Sequence, residues 1–161
     1  LDLVLWLVAG EQWQKQTRTP AALRAHLVEL AIAGHPRWQL SFIDIDRPGP
    51  TYTIDSLDSL AEAWPDAELI LLLGADAVAG LPTWHRAAEL AGRARIAAAQ
   101  RAGATATTPP GFDVTWLSAK LPRISSTELR DQIKAGAGVD DLAAELPTAV
   151  AEYILEVGLY K

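Results

Sequence analysis

Near the middle of the 161-residue chain, the apolar run Leu69-Ile70-Leu71-Leu72-Leu73 is followed directly by Gly74-Ala75-Asp76. A strand built from this run is hydrophobic on both faces, which is typical of a central parallel strand covered by helices. In open α/β sheets, ligands bind at the carboxyl ends of such strands. Gly74 and Asp76 are therefore candidate binding residues. The alternative for Asp76 is a purely structural role, as the N-cap of a short helix over Ala77–Gly80.

Predicted strands and helices alternate on both sides of this run. The β-rich runs are Leu3–Ala9, Trp38–Ile43, Leu69–Gly74, Arg95–Ala99 and Val114–Leu117. One helical pattern begins with Thr19 as the N-cap and Pro20 at the first helical position, and others begin after Thr53 and at Pro147; they end near Gly34, Pro65 and Gly158. This alternation predicts a doubly wound α/β fold with a mostly parallel sheet, and residues 1–161 are expected to form one domain.

The composition excludes several classes of protein. Hydrophobic residues make up 50% of the chain and charged residues 21%, which excludes intrinsic disorder. The absence of Cys excludes disulfides and thiolate sites, and the three histidines are too dispersed to predict a zinc site. A net charge of −6 argues against binding to a nucleic-acid backbone, and no apolar run is long enough to span a membrane. We expect a soluble protein without an export signal. Binding of a small anionic ligand remains compatible with this composition, because it needs only a few local cations.

The strongest local signal is the segment Arg123-Ile124-Ser125-Ser126-Thr127-Glu128-Leu129-Arg130. Ser125 and Glu128 have the spacing of a capping box, which by itself would account for a helix start. A capping box does not account for Ser126, Thr127 and Arg130. Hydroxyls and an arginine at a helix N-terminus are suited to binding a phosphate. Capping and phosphate binding are compatible, and both interpretations stay open.

Other segments offer further binding groups. Trp84 follows a turn and can stack on a flat heterocycle, although core packing is the commoner use of Trp. His85 beside it is interpreted as a polar neighbour, not as an acid or base. Thr53 follows a stiff loop and is otherwise an ordinary helix cap. Lys15 offers a cation in a loop after the first strand. Hydrolase, P-loop and dinucleotide-dehydrogenase motifs are absent from the sequence.

Taken in order, these segments resemble the bacterial nicotinate-nucleotide adenylyltransferases, a family of the nucleotidyltransferase superfamily. The matching segments are Trp13-Gln14-Lys15, Asp46-Arg47, Thr51-Tyr52-Thr53-Ile54-Asp55-Ser56-Leu57, Gly74-Ala75-Asp76-Ala77, Trp84, Arg101 with Gly103, Ile124-Ser125-Ser126-Thr127-Glu128-Leu129-Arg130, Leu146-Pro147, Val150, Tyr153-Ile154 and Gly158-Leu159-Tyr160. The family's Phe-Asp-Pro and HxGH segments are absent, and so is any Met. The expectation is therefore a domain that is incomplete at its N-terminus and lacks a strand, a helix and the paired histidines.

The resemblance implies a Rossmann-like fold and a cytoplasmic enzyme of NAD biosynthesis. Such an enzyme transfers the adenylyl group of ATP to nicotinate mononucleotide, which yields deamido-NAD and pyrophosphate, with Mg²⁺ bound mainly through ATP. For the mononucleotide it implies stacking by Trp84, carboxylate binding by Thr53 and the backbone near His85, and phosphate binding by Lys15. For ATP it implies adenosine contacts by Gly74 and Asp76 and triphosphate contacts by Ser126, Thr127 and Arg130. No protein nucleophile and no metal-ligating side chain are expected.

Two alternatives stay open. A sister enzyme such as a pantetheine-phosphate adenylyltransferase uses the same sheet and a similar Ser-rich helix start, although Trp84 and Thr51-Tyr52-Thr53 favour the pyridine nucleotide enzyme. A non-catalytic nucleotide-binding domain is the second alternative, and the absent HxGH segment favours it. Whether the protein forms a homo-oligomer is left open, as is its preference between nicotinate and nicotinamide.

Overall fold

Strands and helices alternate along the chain, as predicted. A computed structural model describes residues 1–12, 19–101, 106–122 and 124–161, without the side chains of Gln12, Arg101 and Lys120. The strands are β1 (Val4–Leu7), β2 (Glu11–Gln12), β3 (Trp38–Ser41), β4 (Pro50–Thr51), β5 (Ile70–Gly74), β6 (Arg95–Arg101) and β7 (Val114–Leu121). The helices are α1 (Ala21–Ile32), α2 (Thr53–Ala63), α3 (Ala75–Gly80), α4 (Ser126–Lys134), α5 (Val139–Leu142) and α6 (Thr148–Glu156). Two 3₁₀ helices cover Leu81–Thr83 and Ala87–Gly92.

The longer strands pair in parallel. β1 pairs with β3, with Val4 opposite Trp38. β6 lies between β5 and β7 and is parallel to both, with Gly74 of β5 opposite Ala99 of β6. Parallel neighbours need a crossover between them; α1 lies between β1 and β3, and α3 with the two 3₁₀ helices lies between β5 and β6. The predicted α/β class with parallel pairing is therefore confirmed.

Among the described residues, β5 has a strand partner on one side. It lies at the edge of the three-stranded sheet formed with β6 and β7, and the side chain of Leu72 is 46% exposed. A central position of β5 in a complete sheet stays a prediction, because the sequence leads us to expect that one strand of this sheet is lacking from the chain. An apolar pattern reports which side chains favour burial, but it does not say which strands lie beside them.

The chain divides into two compact units. The first unit is Leu1–Pro50 with Ile124–Lys161, and the second is Thr51–Arg123. The first has a core cluster on α4, α5 and α6, formed by Leu129, Ile133, Leu142, Val150, Ala151 and Ile154. The second has a core cluster formed by Ile54, Leu57, Val78, Leu81, Leu90, Ala94, Ile96, Ala98 and Val114. The organisation as one domain stays a prediction.

The N-cap residues of α1 and α2 differ from those predicted. Pro20 occupies the N-cap position of α1 with a ψ of 145°, so the helix begins one residue later than a cap at Thr19 would require. Tyr52 occupies the N-cap position of α2, and Thr53 is the first helical residue. The end of α1 is as predicted, since Gly34 follows it with a φ of 86°, which suits glycine. In the described ranges, no helix is long and apolar enough to cross a bilayer.

Candidate active site

The carboxyl end of β5 leads directly into α3. Gly74 is the last residue of β5 and the N-cap of α3, and no heavy atom lies within 4 Å of the position that a Cβ would take there. Asp76 lies in the first turn of α3 and is exposed. Because α3 begins at Ala75 with Gly74 as its cap, the capping role considered for Asp76 is wrong. An open stretch of backbone beside an exposed carboxylate leaves both groups accessible to a ligand.

Trp84 is held at the end of a hydrogen-bonded turn. Its backbone N–H donates to the carbonyl of Leu81 at 3.0 Å, and the Thr83 hydroxyl donates to the carbonyl of Gly80 at 2.8 Å. The indole is half-buried and packs against the core cluster of the second unit. Its Nε1 lies 3.5 Å from the position that a Cβ on Gly80 would take. The ring is thus anchored by the core yet partly exposed, so packing and stacking are compatible.

The segment that carries Trp84 lies beside the start of α2. The rings of His85 and Tyr52 stack, with centroids 4.2 Å apart and an interplanar angle of 29°. Tyr52 directly precedes Thr53, and Ile54 is fully buried in the cluster against which Trp84 packs. The structure therefore places the segment that carries Trp84 and His85 beside the start of α2, where Thr53 lies. Sequence analysis did not find Tyr52 as a partner of His85.

Arg86 forms a set of ion pairs that the sequence did not reveal. Its Nη1 donates to Asp55 Oδ1 at 3.2 Å and to Asp58 Oδ2 at 3.1 Å. Its Nε and Nη2 donate to the two carboxylate oxygens of Glu89 at 2.9 and 2.6 Å. Arg93 also donates to Asp58. The spacing of Asp55 and Asp58 places them on one helix face, but nothing local identifies a partner 28 to 31 residues away.

These ion pairs shift the pKa values of the groups involved. The hydrogen bond from Arg93, with that from Arg86, lowers the pKa of Asp58. The hydrogen bond from Arg86 lowers the pKa of Glu89. The bonds to Glu89 and Asp58 raise the pKa of Arg86. In each of these three groups, the opposite charge favours the ionised form.

The N-terminus of α4, in the first unit, carries the predicted triphosphate contacts. Ser125 is the N-cap, and its Oγ accepts a hydrogen bond from the backbone N–H of Glu128 at 3.4 Å, which confirms the predicted cap at Ser125. Ser126 and Thr127 are exposed in the first turn. The hydroxyls thus stand next to backbone N–H groups that carry the positive end of the helix dipole.

Arg130 lies one turn further along α4. Its Nη2 donates to Ser126 Oγ at 3.4 Å, and its Cζ lies 5.9 Å from the centroid of the Tyr160 ring. The second distance is within cation–π range. Tyr160 therefore contributes to the placement of Arg130, a contact that sequence analysis missed. Lys15, the remaining predicted contact, lies outside the described residues.

Relatives of known sequence decide the family. A protein named "Probable nicotinate-nucleotide adenylyltransferase" from Corynebacterium kroppenstedtii is 40% identical over 166 residues, which cover 99% of this chain and 77% of that protein. One of the same name from Leifsonia xyli subsp. xyli is 39% identical, over 100% of this chain and 80% of that protein. The chain belongs to the nicotinate-nucleotide adenylyltransferase family. No protein-family model matches the chain.

A solved structure of a nicotinate-nucleotide adenylyltransferase has the same fold. The nicotinic acid mononucleotide adenylyltransferase of Plasmodium falciparum, complexed with NaAD, superimposes with a TM-score of 0.77 at 18% identity. The match covers 99% of this chain and 83% of that one. At this identity the likeness supports the fold alone, and it confirms the Rossmann-like nucleotidyltransferase fold.

Proposed function

We propose that this member of the family transfers the adenylyl group of ATP to nicotinate mononucleotide. An oxygen of the 5′-phosphate of the mononucleotide forms a bond to the α-phosphorus of ATP. The bond from that phosphorus to the bridging oxygen breaks, and pyrophosphate leaves with the electron pair. The attacking phosphate is already an anion, so the reaction needs no protein nucleophile. Alignment and neutralisation of charge by the protein supply the catalysis.

The observation that carries the proposal is the placement of Trp84 beside the start of α2. A half-buried indole offers a flat surface for the pyridine ring, and a base stack of this kind is worth about 1–3 kcal/mol. The Thr53 hydroxyl and backbone N–H groups near His85 would donate to the nicotinate carboxylate. Lys15 is proposed to contact the phosphate of the mononucleotide. The names of the relatives agree with this substrate and favour it over pantetheine phosphate.

For ATP, we propose separate contacts for the adenosine and for the triphosphate. In the second unit, Gly74 would let adenosine approach the backbone, and the Asp76 carboxylate would accept hydrogen bonds from the ribose hydroxyls. In the first unit, Ser126, Thr127 and Arg130 would hold the triphosphate, together with the free N–H groups that begin α4.

Mg²⁺ would enter with ATP as part of the substrate. Across the described residues, no group of three or more His, Cys, Asp or Glu side chains is placed to hold a metal ion. Mg²⁺ usually keeps several waters and binds through substrate phosphates plus one or two carboxylates, which is compatible with an ion carried mainly by ATP oxygens. When bound, it would neutralise part of the negative charge on the triphosphate.

Pyrophosphate release tests the proposal. The protein, expressed from its complete gene, is incubated with Mg-ATP and one of three acceptors: nicotinate mononucleotide, nicotinamide mononucleotide or pantetheine phosphate. We expect the fastest release with nicotinate mononucleotide and deamido-NAD as the product. Preferred turnover of pantetheine phosphate would identify the sister enzyme. Binding of ATP without turnover of any acceptor would favour a non-catalytic nucleotide-binding domain.

A further inference from the structure

The backbone at Arg86 adopts a conformation that L-residues rarely use. Its φ is 51° and its ψ is 37°, in the left-handed region, whereas Trp84 two residues earlier is extended. The chain turns sharply here into the 3₁₀ helix Ala87–Gly92, and the Arg86 carbonyl accepts a hydrogen bond from the Glu89 N–H at 2.9 Å. Such backbone strain persists only where surrounding contacts hold it.

The Arg86 side chain supplies contacts of this kind, and they reach α2. One guanidinium nitrogen, Nη1, donates to both Asp55 and Asp58, while the other two donate to Glu89. The side chains of Arg86, Asp55 and Asp58 are each only about one third exposed, at 33%, 34% and 35%. Partial burial protects these ion pairs from some of the screening that salt and water impose on surface pairs.

A second contact joins the same two segments. The Tyr52 and His85 rings stack immediately before Thr53 in one segment and immediately after Trp84 in the other. The ion pair between Asp55 and Arg86 joins the same two segments again, two residues after Thr53 and two residues after Trp84. The two contacts therefore tie the segment that carries Trp84 to the start of α2, where Thr53 lies.

We infer that Arg86 is a positioning residue for nicotinate mononucleotide, which holds the Trp84-His85 segment against the first turns of α2 through Asp55 and Asp58. The role rests on the proposed function, because Thr53 and Trp84 are its substrate contacts. Arg86 itself need not touch the substrate. Its effect is specific to one substrate, since the proposed ATP contacts lie elsewhere in the chain.

Two substitutions of Arg86 and one control separate this role from a general effect on folding. Glycine adopts the left-handed conformation without strain, so Arg86→Gly removes the charge but still allows the backbone to form the turn. Arg86→Lys keeps the charge but cannot form the same paired hydrogen bonds. Arg93→Ala is the matched control, because it removes another arginine from Asp58 and leaves the Arg86 contacts in place.

Calorimetry with nicotinate mononucleotide and, separately, with ATP gives the first result. We expect Arg86→Gly to raise the Kd of nicotinate mononucleotide about tenfold, below the roughly 100-fold in rate that a 1 Å misplacement can cost. The Kd of ATP should stay within about twofold of that of the wild type, which is under 0.5 kcal/mol. Arg86→Lys should be intermediate, and Arg93→Ala should match the wild type. An equal loss for both ligands would show a general structural effect and overturn the inference.

Amide hydrogen exchange of the ligand-free protein gives the second result. The N–H of Trp84 donates to Leu81 and the N–H of Ala87 donates to Trp84, so both report the order of this turn. Exchange should be faster in Arg86→Gly and unchanged in Arg93→Ala. Unchanged exchange and unchanged Kd in Arg86→Gly would overturn the positioning role alone. Failure of the wild type to bind nicotinate mononucleotide would overturn the proposed function, and the positioning role with it.

Discussion

Replacing Trp84 with alanine should weaken the binding of nicotinate mononucleotide and leave ATP binding nearly unchanged. Removal of an aromatic side chain that stacks on a base costs about 1–3 kcal/mol. Since about 1.4 kcal/mol corresponds to a tenfold change in Kd, the expected loss is about 5- to 150-fold. The adenosine contacts proposed for Gly74 and Asp76 involve no atom of the indole, so the Kd of ATP should change little.

The same substitution also lowers the stability of the folded state, and this effect must be measured separately. Truncating a fully buried Trp to alanine typically costs about 3–5 kcal/mol. Trp84 is only half-buried at the edge of the core cluster, so its cost should be smaller. Because domains of this kind have a free energy of unfolding of about 5–15 kcal/mol, the variant should remain folded. Thermal unfolding followed by circular dichroism checks this before any titration.

Isothermal titration calorimetry with each ligand then tests the stacking role. Trp64→Ala is the control, because Trp64 is 44% exposed at the end of α2 and has no predicted substrate contact. It should lose affinity for neither ligand. Trp84→Phe keeps an aromatic ring and should lose less affinity than Trp84→Ala. An equal loss for both ligands, or an unchanged Kd of nicotinate mononucleotide in a folded Trp84→Ala protein, would refute the stacking role.

Four other perturbations test the rest of the site. Arg130→Ala should weaken ATP binding by about 1.5–3 kcal/mol, the range for hydrogen bonds to charged groups, and an unchanged Kd by calorimetry would leave capping as the only role of this helix start. Ser125→Ala should lower the free energy of unfolding by about 1 kcal/mol in urea titrations, because the cap bond is lost, whereas the folded variant should bind ATP as the wild type does. Gly74→Ala should change stability by no more than about 1 kcal/mol, since the added Cβ meets no atom and the φ of −84° suits alanine. It should still weaken ATP binding, and wild-type affinity would argue against close approach of adenosine to this backbone. Acidification should remove the stabilisation that comes from Asp58 and Glu89, because their pKa values are lowered on folding. That stabilisation is complete above their unfolded pKa values of about 4 and is lost as the pH falls through their lower folded pKa values. The free energy of unfolding, measured from about pH 6 to about pH 3, should therefore decline.

Local sequence signals were sufficient for most of the secondary structure. Runs of apolar residues predicted β1, β3, β5, β6 and β7, and helical spacing predicted α1, α2 and α6. The cap at Ser125 was also predictable, because it depends on residues within one turn. Residue order alone was sufficient for the family resemblance that relatives at 40% identity confirm. Each of these predictions uses information contained in short segments or in their order.

Other features depend on distances between segments, and only the tertiary structure decided them. One example is the set of three carboxylates around Arg86, two of which come from α2. Two others are the stack of Tyr52 on His85 and the placement of Arg130 against Tyr160, which join residues that are distant in sequence. The pairing of β5 with β6 is likewise decided by the tertiary structure, not by the composition of β5. A side chain's chemistry limits the partners it accepts, but the folded path of the backbone determines which of them come within hydrogen-bond distance.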